Sequence, residues 1–172
     1  GKRLYVHCFR PVSARGSSSG TGMGIKEPET AYPRCMDEFI RFQSAVPNGR
    51  GRFPDVFAMV NGLRNEALLS EADKRWLVVA NASANATYTD PTTVAADCYN
   101  HELNPGARSW FKAESSQLLE MTTEYLNLLD RYGVPWMALR TSNPGRLVYE
   151  DAVQVVAVPH TYPEHWPFQP LR

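Results

Sequence analysis

One short segment of the chain concentrates side chains that can do chemistry: residues 97–102 read DCYNHE. An imidazolium lowers the pKa of a nearby thiol, and the thiolate is the nucleophilic form of cysteine. Cys98 and His101 are therefore candidate catalytic residues. The alternative is a polar loop that hydrogen-bonds to itself. A structural zinc site needs about four ligands, and no second Cys/His pair with standard spacing accompanies this one, so we expect no metal.

A second candidate is the sequence Tyr149-Glu150-Asp151 near the end of the chain. A carboxylate beside a tyrosine at a sheet end can act as an acid, a base or a ribose-binding group. We take Glu150 as a third catalytic candidate and Tyr149 as a ligand-binding candidate. The alternative is that the two carboxylates mark a turn or a charged sheet edge that prevents sheet-to-sheet pairing.

A third candidate is the glycine-rich stretch at residues 20–24, GTGMG. Glycine loops bind phosphate because their backbone N–H groups can turn toward it. The spacing matches neither a dinucleotide-binding fingerprint nor a P-loop, so a surface loop is the alternative. Ser19 and Gly22 in this loop, together with His7 and Arg10 just before it, are the further ligand-binding candidates.

A basic cluster follows the glycine-rich stretch. Its four arginines are Arg34, Arg41, Arg50 and Arg52. Guanidinium groups bind phosphates and other anions through charge-assisted hydrogen bonds. Acidic residues such as Asp37 and Asp55 are interspersed, and this pattern favours a solvated face of mixed charge as the alternative.

The first half of the chain must position these groups with few elements. Alternating apolar residues predict a strand at 3–9, and a Ser/Gly-rich composition predicts a long loop at 12–33. The segment 33–45 places most of its apolar residues on one helical face, with proline at each end, and predicts a helix. The apolar run 53–60 predicts a buried strand that ends at Asn61-Gly62.

The second half has stronger signals. A capping-box pattern at 70–73 predicts a helix from about 71 to 85, and 89–106 reads as irregular. The segment 107–132 contains the clearest helix, with an apolar stripe through Leu118, Met121 and Tyr125. A Pro-Gly turn at 142–145 precedes a Val-rich hairpin with a break or bulge at 150–151.

This order of elements predicts an α/β or α+β fold. We expect a single compact domain at 1–159, with a mixed or antiparallel sheet, about three helices and a C-terminal β-hairpin. Residues 160–172 carry several prolines and three aromatic residues. We expect them to form an extended tail packed on the domain or on a partner.

Composition excludes several functional classes. The chain has 172 residues, 43% hydrophobic, with 18 basic and 18 acidic residues and a formal net charge of zero. This balance argues against nucleic acid as a partner. No stretch is apolar enough for a membrane helix or a signal peptide, and three scattered cysteines do not suit a disulfide framework. We therefore expect a reduced cytoplasmic protein, without any motif that identifies a cofactor.

Two functional hypotheses follow from these patterns. The first is a small enzyme or ligand-binding domain that acts on a small polar or phosphate-bearing molecule, because two long polar connections lie within one compact domain. The second is a non-catalytic interaction protein that would use the aromatic tail and the helix around Tyr125 to bind a protein partner. A second copy of the chain is one such partner, which would make the protein a homodimer. Alanine substitution at Cys98, His101 and Glu150 separates the two hypotheses.

Overall fold

The structure is a computed structural model that describes residues 4–5 and 38–160 of the chain. The ligand-binding candidates His7, Arg10, Ser19 and Gly22 lie outside the described residues, and so do the predicted loop and nearly all of the predicted tail. The described residues hold three helices and a sheet, which confirms the predicted α+β fold with an antiparallel sheet.

The described part of the chain forms two strands, two helices, one strand, one helix and then three strands. The strands are β1 Leu4–Tyr5, β2 Phe39–Ser44, β3 Arg108–Lys112, β4 Trp136–Thr141, β5 Arg146–Glu150 and β6 Gln154–Val158. The helices are α1 Val56–Asn65, α2 Glu71–Thr87 and α3 Ser116–Arg131, with a short 3₁₀ turn at Pro91–Thr93. None of the helices in the described part of the chain is both long and apolar enough to cross a membrane.

The strands form one sheet in the order β1-β4-β2-β3-β6-β5. Strands β2 to β6 pair antiparallel, and the two residues of β1 pair parallel with β4. The side chains of helices α1 and α3 pack with Ile40 and Phe111 into a core that covers one face of the sheet. The opposite face carries a second buried cluster that includes Trp110, Leu139 and Val155.

The prediction of a helix at 33–45 is wrong for the described part of that segment, because residues 39–44 form β2. Strand β2 lies inside the sheet, where it pairs with β4 along six residues and with β3 at its start. Ile40 and Arg41 face opposite sides of the sheet, and both are buried. A strand buried on both faces loses the polar–apolar alternation that identifies strands in a sequence.

The prediction of a strand at 53–60 is also wrong, because helix α1 begins at Val56. Asp55 caps this helix, since its carboxylate accepts a hydrogen bond of 2.8 Å from the Ala58 N–H. The buried face of α1 consists of Val56, Met59, Val60 and Leu63, the spacing of one helical stripe. In the sequence, Asp55 directly after Pro54 is the residue that indicates the start of this helix.

Helix α2 follows its prediction closely. The Ser70 hydroxyl accepts a hydrogen bond from the Asp73 N–H at 3.1 Å, as the capping box predicted. Asp73 also accepts from the Tyr132 hydroxyl at 2.6 Å and pairs with Arg131, so this cap fixes the start of α2 to the end of α3. Strand β3, which precedes α3, was not predicted.

The C-terminal hairpin is confirmed as β5 and β6, and the predicted break at 150–151 is its turn. The Asp151 carboxylate accepts hydrogen bonds from the N–H groups of Val153 and Gln154, which closes the turn. Gly145, in the turn before β5, has a φ of 122°. A Cβ at this position would overlap the Val158 carbonyl oxygen, so only glycine fits.

Candidate functional site

Strand β2 changes its neighbour halfway along its length. Its first residues, Phe39 and Ile40, pair with β3. Further along, the N–H of Ser44 donates to the Pro54 carbonyl at 2.8 Å, and Gln43 forms an isolated bridge with Asp55. The chain just before α1 therefore takes the place of β3, and a crevice opens between the two segments.

We call the place where β3 and the chain just before α1 separate along β2 the fork. The Arg41 side chain lies at the fork, and the residue is only 7% exposed. Its guanidinium donates to the Ser109 carbonyl on β3 at 3.0 Å and to the Phe53 carbonyl at 3.2 Å. Its Nε donates to the Gln43 side-chain oxygen at 2.9 Å. Arg41 thus joins both sides of the fork through carbonyl groups that do not pair with each other, and it is held in a fixed orientation.

A cavity of about 420 Å³ opens at the fork, and we call it the arginine cavity. Its polar lining includes Arg41, Asn48, Arg52, Asp55, Tyr99, His101, Asn104, Arg108 and Ser109. These residues come from β2, from the turn before α1, from the irregular connection 88–107 and from β3. The volume lies within the usual range of small-molecule sites.

Positive charge predominates among the described residues that line the arginine cavity. Three arginines and a histidine share it with one carboxylate, that of Asp55, which also caps α1. The Arg52 side chain is exposed and makes no hydrogen bond or ion pair with the described residues. Together with the first turn of α1, these groups create an environment that favours an anion.

Tyr99 contributes a neutral hydroxyl group to the same cavity. The residue as a whole is 42% exposed, but the hydroxyl interacts with Ser109 and lies within the fields of Asp55 and Arg41. Loss of solvation raises the pKa of Tyr99 to about 12, while the Ser109 hydrogen bond acts in the opposite direction. The phenol therefore keeps its proton at physiological pH and can donate a hydrogen bond to a ligand.

Among the predicted catalytic residues, the structure places Cys98 in a buried environment. The thiol is 2% exposed and packs with Tyr149 and Val156. Burial raises the pKa of Cys98, and the nearby Asp90 carboxylate raises it further. These surroundings favour the thiol over the nucleophilic thiolate. His101 lies apart from this cluster and lines the arginine cavity.

The candidates Tyr149 and Glu150 have partners of their own. The Tyr149 hydroxyl donates to Asp151 at 2.7 Å, and this bond, with burial, raises the pKa of Tyr149 to about 12. Glu150 pairs with Lys112 at 2.7 Å across the sheet surface. Neither residue is among the described residues that line the arginine cavity. The catalytic role of Cys98, His101 and Glu150 stays a prediction.

The basic cluster seen in the sequence is partly assembled in the structure. Arg41 and Arg52 line the arginine cavity, Arg50 does not, and Arg34 lies outside the described residues. Arg108 joins them in the structure, and no pattern in the sequence indicated this because its strand was not predicted. Between residues 38 and 160, no group of three or more His, Cys, Asp or Glu side chains is arranged to hold a metal.

We found no match to this chain among protein-family models, curated proteins or solved structures. Functional inference therefore depends on the chemistry of the site itself.

Proposed function

We propose that this protein binds a small phosphate-bearing molecule in the arginine cavity. The observation that carries the proposal is the convergence on one cavity of Arg41 and Arg52 with Arg108, which lies more than fifty residues later in the chain. The described lining of the cavity holds three guanidinium groups and one carboxylate, that of Asp55. A phosphate group, with up to two charges and three acceptor oxygen atoms, uses several guanidinium donors better than one carboxylate does.

The arginines differ in the role that their surroundings support. Arg41 is buried and held by three protein acceptors, so it supplies a fixed positive field without having to be reordered on binding. Arg52 is exposed at the rim and is free of described partners, so it can move onto a bound anion. Tyr99 and His101 complete the ring of groups that can donate to the ligand.

The proposal is tested by isothermal titration calorimetry of the full chain with inorganic pyrophosphate at low ionic strength. Replacement of Arg52 by alanine should weaken binding about tenfold, because one charge-assisted contact is lost. The matched control is Arg50→Ala, which removes the same charge two residues away from outside the cavity and should change binding less than about twofold.

Two results would contradict the proposal. Equal losses in Arg52→Ala and Arg50→Ala would show that pyrophosphate responds to net charge rather than to the cavity. Tighter binding of citrate than of pyrophosphate would show that the site selects carboxylates. The alternative, a protein partner bound by the aromatic tail and the helix around Tyr125, also stays a prediction, since Tyr125 itself is fully buried but nearly all of the tail lies outside the described residues.

The finer parts of the first hypothesis also remain predictions. Catalysis is tested by the same titration followed by product analysis with His101→Ala, since His101 is the one predicted catalytic residue that lines the cavity in the described part of the chain. The cytoplasmic location and the oligomeric state are likewise expectations from the sequence.

A further inference from the structure

A second cavity, of about 540 Å³, lies on the helix side of the sheet, and we call it the amide cavity. Helix α2 and its C-cap residue contribute Asn81, Ala84, Asn85 and Tyr88, which follow one helical stripe. Helices α1 and α3, strands β3 and β6 and the connection after α2 supply the remaining described walls. Nothing in the arginine cavity or in the proposed function involves these residues.

The polar wall of the amide cavity is held by a chain of hydrogen bonds. The buried Tyr125 hydroxyl donates to the Asn81 oxygen at 3.0 Å, and the Asn81 nitrogen donates to the Asn61 oxygen at 3.0 Å. The Asn61 nitrogen donates to the Phe57 carbonyl at 2.8 Å. Each of these two amide nitrogens carries two N–H groups and uses one within the described residues. One N–H on each amide therefore stays available to a ligand.

Gln154 supplies the complementary group. Its side chain is buried, with the residue 8% exposed, and its nitrogen donates to the Thr89 carbonyl and to Asp151. Both N–H groups are thus used, whereas the side-chain oxygen accepts no hydrogen bond from the described residues. This oxygen lies in the lining of the cavity, where it can accept a hydrogen bond from a ligand N–H.

The remaining lining determines the charge and shape of the ligand. Phe57, Phe111 and Met121 give the cavity an aromatic and thioether surface suited to a flat ring. The described lining holds one basic residue, Arg64, and one acidic residue, Asp90, so it favours no net charge. The ligand that fits is neutral and planar, and it carries a hydrogen-bond donor next to an acceptor.

We propose that the amide cavity binds a neutral heteroaromatic ring of the nucleobase type. Asparagine and glutamine side chains recognise the adjacent donor and acceptor of such a ring by paired hydrogen bonds, and phenylalanine faces pack against its plane. Gln154 accepts from the ring, Asn61 and Asn81 donate to it, and Asn85 lies at the exposed edge.

The experiment uses free adenine as the probe and indole as a ring of similar size that lacks the paired donor and acceptor. Saturation-transfer NMR on the full chain, with titration, should give a dissociation constant below about 1 mM for adenine and at least tenfold weaker binding for indole. Ala84→Trp places a ring in the cavity and should abolish adenine binding. Ala82→Trp adds the same ring on an exposed part of α2 and should leave binding unchanged.

Three results would overturn this assignment. They are the absence of adenine binding to the unmodified chain, equal binding of indole and adenine, and equal effects of the two tryptophan substitutions. If circular dichroism shows that Ala84→Trp does not fold, Asn85→Leu replaces it, because Asn85 is exposed and makes no hydrogen bond with the described residues. Asn85→Leu should then weaken adenine binding at least threefold, and unchanged binding would contradict the proposal.

Discussion

The two cavities lie on either side of helix α1 and differ in how they are built. Asp55 and Ala58 line the arginine cavity, whereas Phe57 and Asn61 line the amide cavity. Adjacent residues of a helix point about 100° apart, so one short helix can serve two unrelated surfaces. The arginine cavity opens where two strands separate, and the amide cavity lies between helices that remain packed.

The charge of the lining follows from this difference. At the fork, backbone carbonyl groups without strand partners need strong donors, and Arg41 supplies them. Between the helices, neutral amides and a phenol donate to one another without any charge and leave one N–H on each amide available. The two cavities should therefore differ in their effects on stability and in their response to salt, and each difference can be measured.

The largest effect is expected from Arg41→Met, which keeps the bulk of the side chain but removes its donors. The carbonyl groups of Ser109 and Phe53 would each lose a donor, at a cost of roughly 1–3 kcal/mol apiece, so unfolding free energy should fall by about 3 kcal/mol or more. Urea unfolding followed by tryptophan fluorescence measures this change. The control Arg52→Met, at the exposed rim, should change stability by less than about 0.5 kcal/mol. Equal stabilities of the two variants would show that Arg41 does not hold the fork.

The fork also explains what the sequence could and could not predict. The capping box of α2 and the apolar stripe of α3 are local signals, and the structure confirms those two helices. Strand β2 depends instead on long-range pairing, whereas the local signal of helix α1, its N-cap Asp55, was present in the sequence but not used. Arg41 inside a strand looked like the polar face of a helix, because its buried environment is created by residues far along the chain.

The candidate site likewise combines residues that local patterns indicated with an arrangement that depends on long-range contacts. His101, Arg41 and Arg52 were visible in the sequence as a reactive loop and a basic cluster. The sequence did not indicate that these residues line one cavity, because that arrangement requires β3 to bring Arg108 beside a segment more than fifty residues earlier. Cys98 and His101 are close in sequence, yet one packs into a core and the other faces a cavity, because sequence spacing in an irregular loop does not determine direction.

The next largest difference between the two cavities is expected in how ligand binding responds to ionic strength. Pyrophosphate binding in the arginine cavity should weaken about tenfold between low salt and 0.5 M sodium chloride, because the charges at the rim are screened. Adenine binding in the amide cavity involves no net charge and should change less than about twofold over the same range. Calorimetry of each ligand across the salt series measures both. A parallel loss for the two ligands would mean that they share one charged site.

A smaller effect is expected from Tyr125→Phe in the amide cavity. The substitution removes one hydrogen bond, that to Asn81, and should lower the unfolding free energy by about 1 kcal/mol. Asn81 would then be less well oriented, so adenine binding should weaken about threefold. The same change in the other cavity, Tyr99→Phe, serves as the control and should leave adenine binding unaffected. Loss of adenine binding in Tyr99→Phe would contradict the separation of the two cavities.

The smallest expected effect is a loss of unfolding free energy at alkaline pH, and it arises from the arginine cavity. The pKa of Tyr99 is raised to about 12, chiefly by loss of solvation, against an ordinary value near 10 in the unfolded chain. Since the folded-state pKa is the higher one, the neutral phenol stabilises the fold fully below pH 10, and this contribution is lost as pH rises toward 12. Unfolding free energy should therefore decline over that interval, and the decline should be shallower in Tyr99→Phe. Urea unfolding at several pH values, with phenolate absorbance in parallel, measures it. An identical decline in both proteins would show that Tyr99 titrates normally and that its hydroxyl is in contact with water rather than with the lining of the cavity.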